Sequence, residues 1–350
     1  MRSRIVFSVC LACMLCHATS AQTFQGERLF YLVNSLESKQ SFFQHADKIS
    51  VVCPDVYQID SLGVIYGEMD MRILNIARQK HIRVIPLFAS FDQHAIHELL
   101  NRPESRLEAI RMMLQYAEQF GFAGWQFDLE NVSLADREGY TSFYKQAADS
   151  LHAHGLLISC AIVKAEQSTP MNAHPSYERY MYENWSGAFD LQAIAEVSDF
   201  VSIMTYDQHT ALTPPGPVAG YPWMERIIRY VLSLGIPAEK FSLGVPLYSD
   251  YWYPVGDPVH GARSTRDEIS YAAVQDLVQR FQLHPQWLDD QKESMAYWEN
   301  GGVFDWLFIE DARAFEARWE LAKKYRLRGI SAWVLGAEDP AIWKFLPVIK

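Results

Sequence analysis

Three polar side chains alternate with apolar ones in residues 121–132, GFAGWQFDLENV, and their types and spacing suit chemistry. Gln126, Asp128 and Glu130 would share one face of a β-strand, because successive side chains of a strand point to opposite faces. Two carboxyl groups that close repel each other, which raises the pKa of one and lets it act as an acid near neutral pH. The spacing therefore indicates acid catalysis, although a half-buried surface strand would alternate in the same way.

Short β-rich segments must position these side chains, and amphipathic segments alternate with them along the chain. The predicted strands cover residues 28–33, 49–57, 82–89, 124–130, 156–163, 200–206, 241–247 and 329–335. Apolar residues recur at spacings of three and four between them, which predicts helices. Strand-then-helix units with nearly continuous apolar strands favour an α/β protein with a (β/α)8 TIM barrel. A doubly wound sheet is disfavoured because no glycine-rich phosphate loop follows the first strand.

The segment 248–328, between the seventh and eighth predicted strands, is longer than the other connections. It contains two helix candidates and the pair Gly301-Gly302 between two β-rich runs, which is typical of a hairpin turn. We predict a small α+β insertion on the rim of a catalytic barrel that covers 22–350. Three tryptophans of the insertion would either extend a binding cleft or form its own core: Trp252, Trp287 and Trp298.

The first 21 residues have the pattern of a secretory signal peptide. Arg2 and Arg4 precede an apolar run at 5–15, and small residues follow. The apolar run is too short to span a membrane, so we predict a secreted or periplasmic monomer without a membrane span. After residue 21 the chain keeps only Cys53 and Cys160, each in an apolar run, and the sequence leaves open whether they pair.

Charge and composition disfavour several classes of partner. A net charge of −11 and a pI near 5.5 argue against nucleic acid, which requires a concentrated basic surface. The eleven histidines are scattered without the spacing of metal ligands; His94 and His97 are explained by a solvated helix face. We therefore predict neither a metal nor a cofactor.

In TIM-barrel enzymes the catalytic residues come from the carboxyl ends of the strands. Besides the two acids, those ends carry Tyr57, Tyr206, Asp207, Tyr248 and Trp333. Acids beside aromatic residues favour sugar chemistry, because sugar rings stack on aromatic rings and glycosidic cleavage needs a carboxylic acid. For a single aromatic residue, a position in the core would be the simpler interpretation.

Several segments, in order, resemble glycoside hydrolase family 18, the chitinase-like barrels. FAGWQFDLENV resembles that family's DGxDxDxE strand, with Asp128 on the last Asp and Glu130 on the Glu. IMTYD resembles its MxYD motif, from Met204 to Asp207, and GISAWVLGAEDPAIW resembles its closing strand, with Trp333 as the tryptophan under the sugar. The run ENVSLADREGYTSFYKQ is similar to the bacterial branch that acts on N-acetylglucosamine-containing glycans such as peptidoglycan or chitooligosaccharides.

The resemblance has departures at the motif itself. Ala123 and Gln126 replace the first and middle Asp, and PLFAS replaces the family's SxGG signature. In the family the middle Asp helps the counterpart of Asp128 to change its hydrogen-bonding partner. An amide cannot share a proton in that way, although it can donate a hydrogen bond to Asp128.

The resemblance implies a substrate-assisted retaining mechanism, an exception to the usual two-carboxylate scheme. Glu130 would protonate the glycosidic oxygen while the 2-acetamido group of the sugar attacks its own anomeric carbon. Asp128 would hold the acetamido N–H, Tyr206 its oxygen and Asp207 a sugar hydroxyl, and Trp333 would stack under the ring. The other predicted substrate-binding residues are Gln126, Tyr57, Tyr248 and Met204. The alternative is a non-catalytic glycan-binding protein, a lectin, on the same fold.

Overall fold

The computed structural model describes residues 24–163, 177–256 and 263–349, so the predicted signal peptide lies outside the described residues. Its strands are β1 Glu27–Val33, β2 Val51–Ile59, β3 Ile65–Gly67, β4 Arg83–Val84, β5 Leu87–Ser90, β6 Gly124–Leu129, β7 Leu157–Val163, β8 Phe200–Met204, β9 Phe241–Pro246, β10 Ser249–Val255, β11 Arg263–Ile269, β12 Gln286–Leu288, β13 Glu293–Asn300, β14 Val303–Ile309 and β15 Gly329–Trp333. Its α-helices are α1 Leu36–His45, α2 Met71–Lys80, α3 Gln93–Asn101, α4 Pro103–Phe120, α5 Arg137–Ala153, α6 Tyr177–Met181, α7 Leu191–Val197, α8 Tyr221–Ser233, α9 Tyr271–Phe281, α10 Ala312–Lys324 and α11 Ile342–Phe345.

Parallel strands close into a barrel in the order β1, β2, β5, β6, β7, β8, β9 and β15, and β15 pairs again with β1. This confirms the predicted TIM barrel, and each predicted strand overlaps an observed one. The third predicted strand is divided into β4 and β5, with Pro86 between them. A proline has no N–H to donate to a neighbouring strand, which suits an interruption of the ladder.

Alternate residues of the barrel strands pack into two different hydrophobic clusters. Leu29, Tyr31, Cys53 and Phe200 belong to one buried cluster, while their neighbours in sequence, such as Phe30, pack in the large cluster with the helices. Cys53 and Cys160 are free thiols, both buried, so the possible disulfide is not formed. No helix within the described ranges is both long and apolar enough to cross a bilayer.

The insertion between β9 and β15 is a five-stranded antiparallel sheet in the order β11, β10, β14, β13 and β12. The predicted turn at Gly301-Gly302 joins β13 to β14, and both glycines have the positive φ that such a turn favours. Helix α9 packs on one face of this sheet through Val274, in a small core that also takes in Trp298. Helix α10 packs instead against β9 and β15, so it is a helix of the barrel.

Candidate active site

The two predicted acids lie at the end of β6, which is buried along its whole length. Helix α4 ends at Gly121, whose φ of 72° turns the chain into this strand. Asp128 lies within the strand and only 7% of it is exposed, whereas Glu130 follows the strand. The Glu130 N–H donates to the Ser90 carbonyl at 3.0 Å, which continues the pairing with β5 and fixes the backbone of the acid.

A cavity of about 250 Å³ at this end of the barrel brings most of the predicted site residues together. The predicted residues that line it are Asp128, Glu130, Met204, Tyr206, Asp207, Tyr248 and Trp333. The lining residues that the sequence interpretation missed are Tyr31, Asp55, Phe91, Ala161 and Glu268. The cavity therefore combines acids and aromatic rings, as sugar chemistry requires.

A second, larger cavity of about 780 Å³ has five lining residues in common with the first one: Glu130, Met204, Tyr206, Asp207 and Glu268. Its other walls include Tyr180 and Trp185, which follow β7 in the chain, and Arg266 from the insertion. Because Glu130 lines both cavities, it lies where they meet. A ligand that occupied both cavities would pass beside this carboxyl group.

Burial dominates the electrostatics of Asp128. Loss of water raises the pKa of Asp128 well above its ordinary value, and the negative charges of Glu130 and Asp55 raise it further. Its Oδ1 atom is buried and has no hydrogen-bond partner among the described residues. Burial also raises the pKa of Asp55, to about 6. The small cavity therefore holds carboxyl groups that retain protons at higher pH than usual.

Gln126 requires a correction, because it does not line either cavity and is fully buried inside the barrel. Its amide nitrogen donates to the Ser159 hydroxyl at 3.1 Å and to the Ser202 hydroxyl at 3.2 Å. Its oxygen accepts from the Cys53 thiol at 3.4 Å. The amide nitrogen thus donates to these two serines and not to Asp128, and the position of Gln126 does not support direct contact with a substrate.

Tyr57 requires a second correction, because it is 1% exposed and packs against Trp125 and Tyr116 rather than lining the cavity. The cause is an irregularity in β2. The pairing of β2 with β5 shifts between Asp55 and Tyr57, so the alternation of faces is broken at that point. Asp55 lines the cavity in its place, and the irregularity has no local signal in the sequence.

Asp207 is held by a polar network that joins the barrel to the insertion. The Tyr248 hydroxyl donates to Asp207 Oδ1 at 2.8 Å, and the Arg266 guanidinium donates to the same oxygen at 2.6 Å. Arg266 also donates to the buried Asp250 at 2.6 Å and lies 3.3 Å from Glu268. Arg266 and Glu268 lie on β11, far along the chain, so the rule about strand ends could not find them. Among the described residues, no group of three or more His, Cys, Asp or Glu side chains is arranged to hold a metal ion.

Comparison with known proteins adds three findings. The model of "Glycosyl hydrolases family 18" matches residues 31–338. YdhD of Bacillus subtilis, described as a sporulation-specific glycosylase, is 29% identical over 249 residues, which are 70% of this chain and 54% of YdhD. A cortical fragment-lytic enzyme of the same organism is 26% identical over 303 residues, or 83% and 65% of the two chains. This chain thus spans less than two thirds of either relative.

A solved structure shares the fold. The crystal structure of a chitinase from Chromobacterium violaceum superimposes with a TM-score of 0.79 at 22% identity. The superposition covers 92% of this chain and 98% of the chitinase. Nearly the whole chitinase chain therefore has the architecture described above.

Proposed function

This chain belongs to glycosyl hydrolases family 18 and is a glycosidase, and from that premise we propose that it cleaves β-1,4 bonds of N-acetylglucosamine-containing glycans with Glu130 as the general acid. The position of Glu130 where the two cavities meet carries the proposal, because the other two carboxyl groups that line both cavities, Asp207 and Glu268, lie against Arg266. A glycan that spans both cavities would present its glycosidic oxygen to this carboxyl group. The presence of Glu130 favours an enzyme over the lectin alternative, because a lectin needs no general acid.

The small cavity suits the sugar whose anomeric carbon reacts. Its aromatic residue Trp333 is partly exposed and offers a ring for stacking. The unpartnered Oδ1 atom of Asp128 is placed to accept the N–H of a 2-acetamido group. Tyr206 lines the same cavity and keeps its proton, because burial raises its pKa, so its hydroxyl can donate to the acetamido oxygen.

In this mechanism the acetamido oxygen attacks the anomeric carbon as Glu130 gives its proton to the leaving oxygen. A positively charged oxazolinium forms, and an anionic Asp128 stabilises it through the acetamido N–H. Water then attacks the anomeric carbon from the face that the leaving group has left, opposite the oxazolinium oxygen, and Glu130 takes a proton from that water. Because two displacements occur at the same carbon, the product retains the β configuration.

The large cavity suits the leaving part of the glycan. Trp185 and Tyr180 provide aromatic surface there, and Asp207 and Arg266 provide polar contacts. One relative is named a cortical fragment-lytic enzyme and one solved structure a chitinase. The proposal therefore includes peptidoglycan and chitooligosaccharides as substrates. Because the sequence predicts a signal peptide and both glycans are extracellular, the proposed reaction takes place outside the cytoplasm.

The test is to incubate wild-type protein and Glu130→Gln with chitooligosaccharides and with purified peptidoglycan, and to identify the products by mass spectrometry. Removal of a general acid should lower kcat by about 10²–10⁴-fold while glycan binding is kept. Glu138→Gln, which changes an exposed acid on α5, should retain the wild-type rate. NMR of the fresh product should show the β anomer. A Glu130→Gln protein with wild-type turnover, or an α product, would refute the mechanism.

A further inference from the structure

Two carboxyl groups from different strands, Asp55 on β2 and Asp128 on β6, line the same small cavity. Neither has an ion-pair partner among the described residues, and one oxygen of Asp128 is buried without a hydrogen bond. Each is largely removed from water. Neighbouring carboxyl groups that are buried and have no cation beside them cannot both ionise readily, so one of the two keeps a proton.

We propose that Asp55 is a positioning residue that shares one proton with Asp128 and holds that proton while Asp128 is anionic in the reaction. This inference rests on the proposed function, because it concerns how Asp128 reaches the charge that the mechanism needs. The raised pKa values of both groups agree with it, since burial is the first cause of each. The proposal itself rests on the cavity that both carboxyl groups line and on the lack of an ion-pair partner for either of them within the part of the chain that the structure describes.

Other groups near the pair cannot take this proton. Gln126 lies on the same strand as Asp128, but its amide is engaged with Ser159 and Ser202 and is not a base. The neighbouring tyrosine and cysteine side chains stay protonated, because burial raises their pKa values. They are Tyr31, Cys53, Tyr140, Cys160, Tyr206 and Tyr248. A protonated phenol or thiol has no free site of comparable basicity.

The other charged groups around the cavity have different partners or roles. Glu130 carries the proton for the leaving group in the proposed mechanism. Arg266 is bonded to Asp207 and Asp250, and Glu268 lies 3.3 Å from the same guanidinium. Asp55 is therefore the carboxyl group left to exchange a proton with Asp128.

The proton balance is simple. When the acetamido N–H binds Asp128, the O–H bond on Asp128 breaks and an O–H bond forms on Asp55. Asp128 is then anionic and stabilises the oxazolinium, while the total number of protons on the pair stays at one. After water opens the oxazolinium, the proton is again shared. No other reactant is needed.

The kinetic test compares Asp55→Asn with wild type in the pH dependence of kcat/KM on a chitooligosaccharide. A protonated Asp55 stabilises the anion of Asp128 better than a neutral amide does, so the acidic limb should move to higher pH by about one unit. The rate at pH 5 should fall by about tenfold. Asp149→Asn, an exposed change on α5, should leave the profile unchanged.

A purely electrostatic role of Asp55 predicts a shift of the acidic limb in the opposite direction. If Asp55 acted only as a negative neighbour, its removal would lower the pKa of Asp128, and the acidic limb would move to lower pH. An acidic limb that moves to lower pH, or that does not move, in Asp55→Asn therefore overturns the proposal.

A second measurement needs neither activity nor a variant that folds. Carbon-13 NMR of the wild-type protein with labelled aspartate should show Asp55 and Asp128 titrating together, each in two steps. Independent one-step curves would overturn proton sharing. If the wild type cleaves no glycan yet the two curves are coupled, the proposed function fails while the shared proton remains.

Discussion

At the scale of single residues, Asp128 and Glu130 have different environments, although both lie at the end of one strand. Asp128 is almost fully buried where it lines the small cavity, and burial, Glu130 and Asp55 together raise its pKa. Glu130, two residues later, lines both cavities. The alternation that first indicated two equivalent acids therefore yields two unequal ones, because one lies within the strand and the other follows it.

Trp333 provides a test of sugar stacking at the same scale. Its ring lies 5.4 Å from that of Tyr31 between centroids, and its exposed part lines the small cavity. Trp333→Ala should weaken oligosaccharide binding by about 10- to 100-fold, since the apolar face of a sugar loses its platform. Calorimetry in the Glu130→Gln background would measure the dissociation constant without cleavage.

The matched control is Trp287→Ala. That indole lies on the insertion beneath Arg313, at 3.8 Å, and lines neither cavity. Its removal should leave the dissociation constant as it is. Equal affinity in Trp333→Ala and wild type would contradict the stacking role.

At the scale of elements, the end of β8 is positioned by close contact with β9. The Thr205 hydroxyl donates to the Gly244 carbonyl at 2.6 Å. A Cβ atom on Gly244 would lie 2.3 Å from the Ile203 carbonyl oxygen and 3.0 Å from the ring of Tyr206. The absence of a side chain at this one position thus lets the two strands approach and keeps Tyr206 in the cavity.

Gly244→Ala should therefore damage both stability and activity. Overpacking of this kind costs about 1–3 kcal/mol of unfolding free energy, and displacement of Tyr206 should lower kcat/KM. Urea unfolding and steady-state kinetics would measure the two effects. Gly139→Ala on α5 is the control, because its Cβ would make an ordinary 3.4 Å contact with Leu100. A Gly244→Ala protein as stable and active as the control would refute the close-contact argument.

At the scale of the whole molecule, a buried charge cluster joins the barrel to the insertion. Arg318 of α10 donates to Glu310 and to the Ala219 carbonyl, each at 2.8 Å, and is fully buried. Glu293 of β13 accepts from the Val218 N–H at 3.2 Å. Burial raises the pKa of Glu310 to about 7, and burial with the charge of Glu310 raises that of Glu293 well above its ordinary value.

These shifts predict a pH dependence of stability. A carboxyl group with a raised pKa in the folded state binds its proton more tightly there than in the unfolded chain. Its stabilising effect is complete below the unfolded pKa, 4.5 for Glu310, and is lost as the pH rises through about 7. Glu293→Gln removes one of the two carboxyl groups and keeps an oxygen for Val218. It should raise the unfolding free energy at pH 8 by about 1–3 kcal/mol and change little at pH 4.

Urea unfolding at the two pH values would measure this effect. Glu299→Gln on the same strand is exposed and should show no difference between them. A Glu293→Gln protein that is less stable than wild type at pH 8 would show that the buried carboxylate is favourable.

The sequence by itself determined the barrel, the order of its strands and the polar residues at most strand ends. These follow from local periodicity, because an apolar run and its flanking polar residues are close in the chain. It also determined the hairpin at Gly301-Gly302, which depends on two adjacent residues. The acids of β6 and the residues after β8 were found for the same reason.

Only the tertiary structure decided which side chains reach the cavity where local periodicity breaks or where distant segments meet. The shifted pairing of β2 exchanges Tyr57 for Asp55, and bonds across the barrel hold Gln126 away from the cavity. Arg266 enters the site because β11 pairs with β10. Register and cross-strand contacts depend on residues far apart in the chain, so no single segment encodes them.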